Sequence, residues 1–102
     1  MTQADGPILQ SMLQELANNL EHEHHLLGSA MAEHDLVQVR ASLHRLKGIC
    51  CLVDALPLAK ACIALESSAR EHRDAELPVR WQALSQALMA LREEIQPYLE
   101  QE

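Results

Sequence analysis

Seven apolar residues near the end of the chain, Leu77, Trp81, Leu84, Leu88, Leu91, Ile95 and Tyr98, follow one another at alternating steps of four and three. That spacing gathers them into one stripe of an α-helix, the seam of an antiparallel bundle. Three further segments supply its partners. The first runs from about Pro7 to about Glu33 and repeats Leu9, Leu13, Leu16, Leu20, Leu27 and Met31 at helical spacing. Asp35 is placed to N-cap a second segment that runs to about Leu52 or Val53. Asp54 is placed to cap a third, with Pro57 near its start, carrying Leu58, Cys62, Leu65 and Ala69 to about Arg73. The fourth starts near Pro78, and Pro97 is expected to kink or end it.

The linkers around His34, Asp54 and Asp74 to Leu77 are short, which favours neighbours that run up and down. The fold expected is all-α, an up-down antiparallel four-helix bundle over 7–102 with a loose tail over 1–6. At 102 residues there is room for one domain. Leucine and alanine make up nearly a third of the residues and phenylalanine is absent, so helix formers dominate.

Composition also excludes function classes. A net charge of −7 with only eight Lys and Arg argues against nucleic acid as a partner, since phosphate binding needs clustered cations. No apolar run is long enough to span a bilayer, and the start of the chain lacks a signal-peptide pattern, so no direct membrane contact is expected. Three cysteines in helical, mostly apolar settings fit a reducing, cytoplasmic compartment. The three glycines form no nucleotide-binding loop.

The stretch HRLKGICC, His44 to Cys51, holds the concentrated chemistry. At about 100° per residue, Leu36, Val39, Leu43, Leu46, Cys50 and Val53 form the buried face of the second helix, and His44 points away from it to solvent. Val37, Arg40, Ala41, Lys47, Gly48 and Cys51 share its side. A metal site fails here, because seven residues of helix separate His44 from Cys51 by roughly 10 Å and ligands must converge on one ion. Two of the four helical neighbours of His44 are cations, Arg40 and Lys47, two are small, Ala41 and Gly48, and none is a carboxylate. Cations beside an imidazole favour its neutral, nucleophilic form and stabilise a doubly negative phosphoryl group once attached. Glycine inside a helix costs about 0.5–1 kcal/mol relative to alanine, so an exposed Gly48 beside an exposed His44 points to close approach by another molecule.

HRLKG, followed by ALPLAKACIALE from Ala55 to Glu66, resembles the signature of the histidine phosphotransfer (HPt) domain. Asp35, nine residues before His44, stands where that family's active helix usually opens, and Asp54-Ala55 stands where many members carry Gly-Ala. The wording around HRLKGICC further resembles the C-terminal HPt domain of tripartite hybrid sensor kinases of the BvgS type. The resemblance implies that His44 is the phosphoacceptor nucleophile, passing a phosphoryl group between the receiver domains of a hybrid kinase and of a response regulator. It implies no ATP site, no kinase activity and no bound cofactor in this domain, with Mg²⁺ carried by the partner receiver. Lys47 is then the main phosphate-stabilising cation, with Arg40 in support. Gly48 and Ala41 give clearance, Val37, Cys51 and residues of the first helix flanking this face meet the receiver, and Arg45 steers from its flank. The domain is expected to be a monomer in isolation, either free-standing or the cytoplasmic C-terminal domain of an inner-membrane sensor kinase.

The segment EHEHH, Glu21 to His25, offers an alternative, a metal-binding or metal-sensing bundle that uses His22 with His25 or Glu21 with His25, joined by His34. Its plainer reading places His24 as a hydrogen-bonded boundary residue on the apolar stripe and the other four mostly on the solvated side. Cys50 and Cys62 read as core filler, and His72 as a solvated helix end.

Overall fold

In the computed structural model, which describes residues 6–99, the chain forms four helices: α1 (Gly6–Ala32), α2 (Leu36–Val53), α3 (Leu56–Arg70) and α4 (Leu77–Leu99). A short 3₁₀ turn, Asp74–Glu76, leads into α4. Each helix packs against two neighbours, α1 and α3 both lying between α2 and α4. This is the up-down four-helix bundle that short linkers favour. Of the expected tail, Gly6 opens α1 and residues 1–5 lie outside the described residues.

The core runs along the apolar stripes. Leu20 and Leu27 of α1, Val39, Leu43 and Leu46 of α2, Leu58, Cys62 and Leu65 of α3, and Leu84 and Leu88 of α4 are fully enclosed. The stripes are covered unevenly. With 18 and 15 residues, α2 and α3 are shorter than the 27 of α1 and 23 of α4, so the ends of the longer pair run past the α2–α3 turn. Leu9 and Tyr98 sit on those ends and are each 54 % exposed. On α2, Leu36 and Val53 lie at the rim, and Ser42, absent from the expected face, is fully buried.

Caps explain most boundaries. Asp35 caps α2, its Oδ1 accepting from the backbone N–H of Gln38 at 3.2 Å. Asp54 does not cap α3; it ends α2 in the left-handed conformation, its N–H donating to the carbonyl of Cys50, and the N-cap of α3 is Ala55. All three interhelical turns use such a residue and none is glycine: His34, Asp54 and His72 have φ of 57°, 56° and 57°. The reversal at His72 stops α3 at Arg70, short of Arg73. A side chain in this region costs about 1 kcal/mol. Asp54→Gly is therefore expected to raise stability by about 0.5–1 kcal/mol, read as a higher urea midpoint; an unchanged or lower midpoint would show that the Asp54 side chain contributes more than its strain.

Pro97 does not end α4, which continues to Leu99. One missing backbone hydrogen bond is tolerated because α1 holds the last turn from the side: Gln10 Nε2 donates to the carbonyl of Leu99 at 2.9 Å.

Candidate functional site

The surface of α2 divides into three strips. On the side towards α1, Gln38 Nε2 donates to Ser42 Oγ at 3.1 Å, and Arg45 donates through Nη2 to the same oxygen at 3.3 Å and through Nε to Glu23 Oε2 at 2.7 Å. The plainer reading of EHEHH expects Glu23 on the solvated side; it is only 8 % exposed. Its position explains this, three residues after Leu20 and four before Leu27, so the backbone carries it into the α1–α2 seam whatever its polarity. Arg45 is thus anchored to α1 on the flank of the outward face, with its side chain 45 % exposed.

On the side towards α3, Lys47 Nζ donates to Glu66 Oε1 at 2.7 Å. This hydrogen bond, helped by the positive charges of Lys47, Arg70 and Arg40 and opposed by burial, holds the Glu66 carboxyl below its ordinary range. Further along the same seam, Cys50 and Cys62 are buried with their thiols in contact, and burial pushes that of Cys62 up to about 12 and raises that of Cys50. They remain protonated and pack as apolar groups, as expected of core filler.

The outward strip carries Val37, Ala41, His44, Gly48 and Cys51. His44 is exposed and makes no hydrogen bond or ion pair with the described residues, and Arg40 is likewise exposed and unpaired. A Cβ built on Gly48 meets nothing within 4 Å. Nothing inside the fold therefore requires glycine there, and its helical cost has no internal compensation. By contrast, a Cβ on Gly28 in α1 would stand 3.3 Å from Trp81, so that glycine has a packing reason.

This arrangement is an unobstructed imidazole on a rigid helix, flanked by cations and small residues. The sequence model of the Hpt domain matches residues 8–100. The chain belongs to the Hpt domain family. Hpt domains are phosphotransfer modules of two-component phosphorelays, lack kinase activity of their own, and work by contact with receiver domains. No curated protein and no solved structure was found to match this chain.

The site residues named from the sequence of this Hpt domain all lie on α2, with unnamed residues of the first helix beside them; Glu66 of α3, which pairs with Lys47, and Arg70 are not among them. Glu66 and Arg70 are four residues apart there, on the side that meets α2. Their spacing was a signal; which helix they would face was not.

The EHEHH segment of the Hpt domain is divided among three environments. Glu21, His22 and His25 are exposed, Glu23 is in the α1–α2 seam, and His24 faces α4. Among the described residues no three His, Cys, Asp or Glu side chains are grouped to hold a metal ion, so the alternative reading gains no support. His24 stacks on Trp81 with ring centroids 4.9 Å apart, and its Nε2 is 2.9 Å from Ser85 Oγ. Burial first, then the charges of Arg92 and His25, hold its pKa below the ordinary value. Glu21, ion-paired to Arg92 at 3.6 Å, is the nearby carboxylate. A histidine that resists protonation when folded leaves stability intact above its unfolded pKa of about 6.5 and weakens it as pH falls through that value towards the folded pKa. The urea midpoint is expected to drop between pH 7.5 and 5, and His24→Phe to remove part of that slope; an unchanged slope would show that other groups account for it.

Proposed function

We propose that His44 takes a phosphoryl group from the aspartyl phosphate of one receiver domain and passes it to the aspartate of another. The observation that carries this reading is the pairing of an exposed, unpartnered His44 with an exposed Gly48 that the fold itself does not need. A ring nitrogen of His44 attacks the phosphorus in line. The N–P bond forms as the P–O bond to the aspartyl carboxylate breaks, and the carboxylate leaves with the bonding pair. Onward transfer reverses these steps on a second aspartate.

Positioning and charge supply most of the rate in such transfers, and the receiver brings Mg²⁺ and its acidic pocket. The domain contributes what a receiver lacks, a nitrogen nucleophile on a stiff support with Lys47 and Arg40 close by. Val37, 81 % exposed, Ala41 and Cys51 extend the strip on either side of His44 as the docking face. The likeness of HRLKGICC to BvgS-type sequences supports a place late in a hybrid kinase relay, with that kinase's receiver as donor and a response regulator as acceptor. The free cysteines suit the reducing cytoplasm in which this exchange is placed. No helix among the described residues is long and apolar enough to cross a membrane.

The test is incubation with a phosphorylated receiver and Mg²⁺. Acid-labile, base-stable phosphate is expected on the wild-type chain and is lost in His44→Gln with helicity intact. Failure of all candidate receivers to label the wild type, together with stoichiometric Zn²⁺ binding that raises the melting temperature, would replace this reading with the metal-binding one.

A further inference from the structure

Lys47 presents a conflict. A lysine placed to stabilise a phosphoryl group on His44 already donates to Glu66 at 2.7 Å, and the carboxylate would repel the incoming dianion. The surrounding charges offer a way out. Of the eight Lys and Arg residues, Arg45, Lys47, Arg73, Arg80 and Arg92 are ion-paired. The remaining three, Arg40, Lys60 and Arg70, all lie on α2 and α3. Two of them flank Glu66.

Arg70 follows Glu66 by four residues on α3, the spacing at which side chains on a helix meet. Arg40 precedes Lys47 by seven residues on α2 and returns to within about 20° of its direction. Because α2 and α3 are antiparallel, both arginines lie on the same side of the Lys47–Glu66 pair, roughly 6 and 10 Å along the axes. Both are exposed and without an ion pair among the described residues, and both already act on the Glu66 carboxylate through their charge.

We propose that Arg70, with Arg40, takes over Glu66 when His44 is phosphorylated, and so releases Lys47 Nζ to the phosphoryl oxygens. This rests on His44 being the phosphoacceptor. In the resting domain Glu66 holds the ammonium on the side towards α3 and off the docking strip. On phosphorylation the ammonium exchanges a shared carboxylate for a dianion, while the carboxylate keeps a cationic partner. Arg70 and Glu66 are positioning residues that act through Lys47.

The full chain labelled with phosphoramidate tests this without a receiver, so docking cannot confuse the result. Arg70→Gln is expected to slow labelling roughly three- to tenfold and, by ³¹P NMR, to raise the pH at which the phosphohistidine loses its last proton. Glu66→Gln, which frees Lys47, is expected to label at least as fast as wild type and to make a second Arg70→Gln change silent. Lys47→Ala should slow labelling about tenfold and also silence Arg70→Gln. Equal slowing by Arg70→Gln with and without Glu66 would overturn the handover, because Arg70 would then touch the phosphate itself. No effect of Arg70→Gln on either rate or titration would overturn it too. Wild-type chain that takes label from neither phosphoramidate nor a receiver would instead remove the phosphoacceptor reading on which the proposal stands.

Discussion

Gly48→Leu is expected to reduce transfer from a phosphorylated receiver by a hundredfold or more while leaving the folded domain as stable as wild type or up to about 1 kcal/mol more so. The two halves of this result have separate causes. The stability gain follows from helix propensity, since Gly48 is exposed in the interior of α2 and an added Cβ meets nothing within 4 Å. The loss of transfer follows from direction. Side chains on a helix lean towards its N-terminus, so a leucine at position 48 covers the surface one turn back, where His44 stands. In-line transfer tolerates little displacement, and a shift of about 1 Å can cost a hundredfold. Labelling by phosphoramidate, which needs no docking, should fall only a few-fold. Full-speed transfer from the receiver would show that the partner does not pass over Gly48.

Arg45→Met is expected to destabilise the domain by about 2–3 kcal/mol, a large effect for a residue whose side chain is 45 % exposed. The cost arises at the other end of the pair. Glu23 is buried in the α1–α2 seam, its Oε2 accepts from Arg45 at 2.7 Å, and its Oε1 already has no partner. Removal of the guanidinium leaves an uncompensated carboxylate among apolar neighbours, and Ser42 loses one of its two donors. Glu23→Leu in the same chain should restore most of the loss, because an apolar side chain there needs no partner. Urea midpoints of the single and double variants measure both. A double variant no more stable than Arg45→Met would mean that the seam needs the pair for its shape and not only for charge balance.

Those two residues show what a single sequence makes legible. The α4 stripe as far as Ile95 and the outward direction of His44 follow from periodicity within one helix, and the cap at Asp35 from its residue type and place, and the structure bears them out; Tyr98, at the end of the stripe, is exposed. Features that depend on how one helix meets another were not legible. Glu23 has a position on the buried stripe and a side chain that argues against it; its partner Arg45 lies on the next helix. Lys47 looked free because its carboxylate, Glu66, lies on α3.

Asp54 is ambiguous for a local reason. An aspartate between two helices can cap the second through its side chain or end the first through a left-handed backbone. Only the φ of 56° decides for the latter. Pro97 does not end α4, because a proline weighed against its own helix leaves out the neighbour that holds the end in place.

Which histidine carries the phosphate decides whether α2 is the active helix. The chain has six, at positions 22, 24, 25, 34, 44 and 72. After labelling with phosphoramidate, ¹⁵N and ³¹P spectra of protein labelled in its histidine rings should show a phosphorus-coupled nitrogen on His44 alone, with no such signal from His44→Gln. Phosphate on His22, His25 or another exposed histidine in preference to His44, or an equal distribution among them, would contradict the assignment of α2 as the active helix.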